Sequence, residues 1–123
     1  MGIDIFVHWK GQTDAEIAEH AEEWLSTTAG GRGYLREAYH GSPYATEFLC
    51  AEAFETGKAQ IKAEVLRARL TDTLALVEER AHKIYSSTDE EIEALKQSFR
   101  DFVDLCERKE TETGEPVEII AWF

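Results

Sequence analysis

Apolar and polar positions alternate from residue 3 to residue 9. Ile3, Ile5, Val7 and Trp9 fall on one side, Asp4, Phe6 and His8 on the other. That period of two, in β-branched and aromatic residue types, predicts a strand. Phe6 on the second side predicts that this side is partly covered as well. Lys10-Gly11-Gln12 ends the pattern, and Thr13-Asp14-Ala15-Glu16 has the form of a capping box. The helix after it would carry Ile17, Ala21, Trp24 and Leu25 on one face and Asp14, Glu16, Glu19, Glu22 and Glu23 on the solvated one. Residues 26 to 31 stop it and open a loop.

Residues 33 to 40 fit a short strand and a helical turn equally. Ser42 has the side chain of a helix cap and Pro43 suits a first helical position. Tyr44, Phe48, Leu49 and Ala53 would then share a face, with Gly57 as the stop. From 59 to 86 the pattern reads as helix throughout. Ile61, Val65 and Leu66 mark a first segment, and Leu70, Leu74, Val77, Ala81 and Ile84 a second, with a break near Leu70-Thr71. Thr88-Asp89-Glu90-Glu91 is a second capping box. Behind it Ile92, Leu95, Phe99, Phe102 and Cys106 recur at three-four spacing, widened by Val103 and Leu105, which places Phe99 and Phe102 at the centre of the core. Glu107, Arg108, Lys109, Glu110 and Glu112 read as solvated, and Gly114 followed by Pro116 closes the helix. Residues 117 to 123 form a closing strand ending on two aromatics. Strands at both ends bracketing helices predict an α+β fold: one domain over 1–123, a small sheet pairing the N- and C-terminal strands, and four to five helices packed on it.

Composition changes this picture in two respects. The 123 residues include 25 Asp and Glu against 13 Lys and Arg, a formal charge of −12. Such a balance argues against direct binding to nucleic acid or an anionic membrane, and is compatible with a basic protein partner. An acidic decoy for a basic surface is one reading of that charge, but Lys96, Arg100, Arg108 and Lys109 interrupt the acids. No apolar run approaches the ~20 residues of a membrane span. The short apolar start carries Asp4 and lacks a basic leader, so it does not read as a signal peptide. Cys50 and Cys106, far apart and on helical patterns, read as buried free thiols. The chain is therefore read as cytoplasmic.

Against this acidic background residues 30 to 46 stand out. They hold Tyr34, Tyr39, Tyr44, Arg32, Arg36 and His40, with Glu37 as the one acid, for a formal charge of +1. Arg32 and Arg36 could clamp a carboxylate or phosphate through paired hydrogen bonds, or pair with the chain's own acids. His8 or His40 could move a proton if the fold brought them together, though no spacing forces this. Gly30, Gly31 and Gly33 lack both the phosphate-loop and the dinucleotide pattern and read as a helix stop and turn. No spacing of His, Cys or acids implies a metal, no motif implies a cofactor, and no nucleophile has a neighbouring base.

Two stretches resemble a known group. Met1-Gly2-Ile3-Asp4-Ile5 and Tyr34-Leu35-Arg36-Glu37-Ala38 are similar to small conserved bacterial and phage proteins that open with Met-Gly-Leu-Asp and carry a Tyr-Trp-Arg-Lys-Ala segment. Leu35 stands where that segment has tryptophan. The resemblance implies a bacterial or phage setting and interest in Tyr34–Ala38, and carries no catalytic residue. The preferred expectation is a non-enzymatic binding or assembly protein, since no catalytic motif is found, that forms a homo-oligomer such as a dimer. Its candidate contacts are His8, Arg32, Tyr34, Arg36, Glu37, Tyr39, His40 and Tyr44. The alternative is an enzyme or ligand binder that takes an anionic metabolite through Arg32 and Arg36, with His8 or His40 as acid or base.

Overall fold

The computed structural model describes residues 2–23, 30–38, 41, 43–83 and 88–123, with the backbone alone for 19–23 and 83. Strand β1 (Gly2–His8) is followed by helix α1 (Asp14–Glu23), a 3-10 turn (Gly30–Arg32) and strand β2 (Tyr34–Ala38). Helices α2 (Ala45–Leu49) and α3 (Ala51–Thr56) lead to strand β3 (Lys58–Ile61), then to the long helices α4 (Ala63–Lys83) and α5 (Asp89–Thr113) and strand β4 (Val117–Trp122). The strands form one antiparallel sheet in the order β2-β1-β4-β3. The two terminal strands are its central pair, so the fold is α+β as their hydrophobicity requires.

Register assigns every strand side chain to a face. On the inner face lie Ile3, Ile5, Val7, Leu35, Ile61, Val117, Ile119 and Ala121, all in the core with Leu66, Leu70 and Val77 of α4 and Phe99, Phe102, Val103 and Cys106 of α5. Trp9 packs at its margin. On the outer face the pairings make three rows: Arg36–Asp4–Trp122, Tyr34–Phe6–Ile120–Lys58, and His8–Glu118–Gln60. Phe6 is buried there, as its place in the alternation foretold.

Helix α5 matches its sequence reading. Thr88 Oγ1 accepts from the Glu91 N–H and Glu91 answers at the Thr88 N–H, while Gly114 closes the helix at φ 78°, where a side chain would be strained. Lys109 and Glu110 depart from the solvated row. Lys109 lies 5.0 Å from the Trp9 ring centre, and Glu110 Oε2 accepts from Ala63 N at 3.3 Å, at the start of α4.

Four expectations are corrected. Residues 58 to 61 are strand, not helix: Gly57, at φ 90°, turns the chain, its carbonyl accepts from Ala121 N, and Ile61 pairs with Val117. Helix α4 runs through Leu70-Thr71 without a break, and Thr73 Oγ1 donates to the Arg69 carbonyl inside it. Helix α2 begins at Ala45 after an extended Tyr44, so Pro43 is not its first residue; Ser42 lies outside the described residues. Ile17 and Phe48 are 43% and 39% exposed rather than core-facing. None of residues 14 to 18 of α1 is buried. Trp24, Leu25 and Ile84 lie outside the described residues. The capping box at Thr13 and Glu16 forms as read.

Candidate functional site, a cleft between β2, α4 and α5

The ambiguity at 33 to 40 resolves into strand β2 over Tyr34–Ala38. Tyr34 and Leu35 point to opposite faces and both are fully buried. Gly30 sets the strand's approach. Its N–H donates to Ser98 Oγ at 2.7 Å, and a Cβ there would overlap the Ser98 carbonyl, so this turn seats on α5 only as glycine. Gly30 thus serves packing, while Gly33, at φ 87°, makes the turn into β2.

Tyr34 and Arg36 meet at Asp4. The Tyr34 hydroxyl donates to Asp4 Oδ1 at 2.6 Å, and Arg36 donates to the same oxygen at 2.8 Å. Burial, then the carboxylate beside it, pushes the Tyr34 phenol up to about 12. Arg36 is held above its ordinary value, by the Tyr34 oxygen first and by Asp4 after it, against the cost of burial. Tyr34 therefore supports the strand from within. Glu37 is also committed: Oε2 accepts from Ala45 N at 3.0 Å, and Oε1 accepts from Thr46 N at 2.9 Å and Thr46 Oγ1 at 2.6 Å. A strand carboxylate thus takes the capping role assigned to Ser42.

Beside the end of β2 opens a cleft of about 230 Å³, lined by Arg36, Glu37, Ala38, Val77, Arg80, Leu95 and Phe99. Val77 and Phe99 belong to the core, so the floor is rigid and apolar. Arg80 comes from α4. Its Nε is buried and has no hydrogen-bond partner among the described residues. A buried donor without an acceptor costs roughly 1–3 kcal/mol, so its persistence calls for an explanation.

The other candidates lie elsewhere. Arg32 is exposed on the 3-10 turn, at the opposite end of β2 from Arg36. His8 is four residues along β1 from Asp4, roughly 13 Å at about 3.3 Å per residue. It borders a separate polar hollow with Trp9, Lys10, Gln60, Glu115, Pro116 and Glu118. The Tyr44 hydroxyl accepts from Gly41 N at 3.1 Å, tying the turn before α2. Tyr39 and His40 lie outside the described residues. Among the described residues no three metal-ligating side chains come together, and no helix is long and apolar enough to cross a membrane.

Sequence reasoning missed Arg80. It follows Glu78 and Glu79, which reads as ordinary surface charge. The available signal was its place three residues after Val77 and one before Ala81, at the border of an apolar stripe. No family model, curated protein or solved structure matches this chain. The functional reading therefore rests on the site itself.

Proposed function

We propose that this protein is a binding protein that takes a small anionic molecule in the cleft between β2, α4 and α5. The observation that carries the reading is Arg80. Arg80 lines the cleft and makes no ion pair among the described residues, and its buried Nε–H lacks an acceptor, so a ligand anion would supply the partner that the guanidinium lacks. Arg36 borders the same cleft, with its guanidinium bonded to Asp4 on the outer face of the sheet. The polar groups of the lining favour recognition: guanidiniums donate hydrogen bonds and accept none, and Glu37 is occupied at the start of α2. Two buried free thiols suit a reducing compartment, which supports work in the cytoplasm. A thermal-shift screen of small anions tests the reading. A true ligand at a hundred times its Kd adds about 2.7 kcal/mol of stability. That gain should vanish in Arg80→Gln; a hit indifferent to Arg80 moves the site elsewhere.

A second observation favours self-association at another surface. On the β4 side Trp122 is 49% exposed and Phe123 is 63% exposed, and Phe123 stacks on Phe54 at 4.9 Å. Apolar surface of this kind suits contact with a second copy. Sedimentation equilibrium should show a dimer that Trp122→Ser weakens; a monomer at high concentration rejects it.

A further inference from the structure

Resting on that reading of the cleft, we infer that its ligand is a monocarboxylate attached to a compact apolar body, such as a small arylalkanoic acid, rather than a phosphate or a dicarboxylate. Charge accounting around the cleft points this way. Arg36 already bonds the Asp4 carboxylate at 2.8 Å. Glu37 is itself one of the lining residues, and its carboxylate oxygens are held at Ala45 and Thr46. Arg80 of the lining pairs with no carboxylate among the described residues, and its charge balances one negative charge. A second charge on the ligand would lie near Glu37 inside a chain of net charge −12, and would be repelled.

Shape points to the apolar body. Four of the seven lining residues, Ala38, Val77, Leu95 and Phe99, are apolar, and Phe99 offers an aromatic ring at the floor. A volume of about 230 Å³ exceeds the roughly 150 Å³ that accommodates benzene in an apolar engineered cavity. One ring with a short carboxylate arm therefore fits, with its carboxylate at Arg80 and its ring over Phe99. Acetate would satisfy Arg80 and leave the floor wet. A neutral alcohol of the same body would fill the floor and offer Arg80 a weaker acceptor.

Calorimetric titration of the full chain with five probes decides it: phenylacetate, phenylethanol, acetate, phenyl phosphate and inorganic phosphate. Phenylacetate should bind saturably at one site per chain, with each other probe at least about tenfold weaker, as expected for losing a charge-assisted bond or the buried ring. Arg80→Gln should weaken phenylacetate at least about tenfold. Leu95→Trp, which fills the cleft and leaves Arg80 in place, should abolish binding. Circular dichroism confirms that both variants fold. Should phenyl phosphate or inorganic phosphate bind as tightly as phenylacetate, and through Arg80, the monocarboxylate inference is overturned while the anion site stands. Should no probe bind, or should phenylacetate bind Arg80→Gln and Leu95→Trp unchanged, the cleft itself is not the site.

Discussion

Of the three arginines on helix α4, Arg69 and Arg80 stand eleven residues apart. At about 3.6 residues per turn they stand three turns apart on nearly the same side. Their surroundings differ completely. Arg69 grips Glu52 with both terminal nitrogens, at 2.7 and 2.9 Å, and donates to the Leu49 carbonyl at 3.0 Å. That carbonyl belongs to the last turn of α2, so Arg69 ties α2, α3 and α4 together. Arg80 borders a cavity with its Nε unbonded. The same side chain on the same helix is a structural clamp at one end and an open donor at the other. What separates the two roles is whether the fold supplies the acceptor, which no inspection of α4 alone can show.

The largest expected effects separate cleft from core. Phe99 and Phe102 are both buried, but only Phe99 lines the cleft. Each alanine variant should lose ~3–5 kcal/mol of stability in urea melts, from transfer and cavity terms. Only Phe99→Ala should also alter ligand preference, toward larger apolar bodies. Equal ligand behaviour in the two variants would dissociate the cleft from its floor.

The next effect is at Arg69. Arg69→Met should cost ~1–2 kcal/mol at neutral pH, because the pair is partly exposed but the Leu49 carbonyl loses its donor. The Arg69 guanidinium holds the Glu52 carboxyl below its ordinary value of 4.5. The folded state thus binds this proton less readily than the unfolded chain. Its contribution is present above pH 4.5 and is lost as pH falls through the lowered folded value. The gap between wild type and Arg69→Met should therefore narrow in acid, and a gap that stays constant to pH 3 or so would deny the pair its role.

Tyr34 gives the opposite sign. Its phenol is raised from 10.0 to about 12, so the folded state keeps a proton that the unfolded chain gives up. That contribution is full below pH 10.0 and drains away as pH rises toward 12. Tyr34→Phe should lose ~1 kcal/mol at pH 8, with a shallower alkaline decline than wild type. Parallel declines would show that the Asp4 bond does not couple to titration.

The smallest effect is the most informative about the comparison. Arg80→Met removes a buried donor that has no acceptor, so stability should stay within ~0.5 kcal/mol or rise. Glu107→Ala, on the exposed side of α5, sets the baseline at no more than ~0.5 kcal/mol.

Much of the fold was written in local pattern. The two capping boxes, the five-position stripe of α5 and the alternation of β1 each involve residues close in sequence, where period and cap chemistry act directly. Strand β3 was hidden because its four residues, Lys58-Ala59-Gln60-Ile61, bury fully only Ile61. That single apolar position also fits the helical spacing of Val65 and Leu66. The start of α2 was misplaced because its cap comes from Glu37, across the turn from β2, rather than from the preceding residues. The site was half legible. Composition drew attention to Arg36 and Glu37, but Arg80 is 44 residues beyond Arg36, and only packing makes them neighbours.

The central claim is that Arg80 is an available anion donor and Arg69 is not. Arginine Nε–Hε resonances report on both in one spectrum, with Arg69→Met and Arg80→Met providing the assignments. On titration with phenylacetate, the Arg80 Nε–Hε signal should move saturably, with one dissociation constant, while Arg69 stays in place. An immobile Arg80 signal, or equal drift of both signals without saturation, would contradict the account.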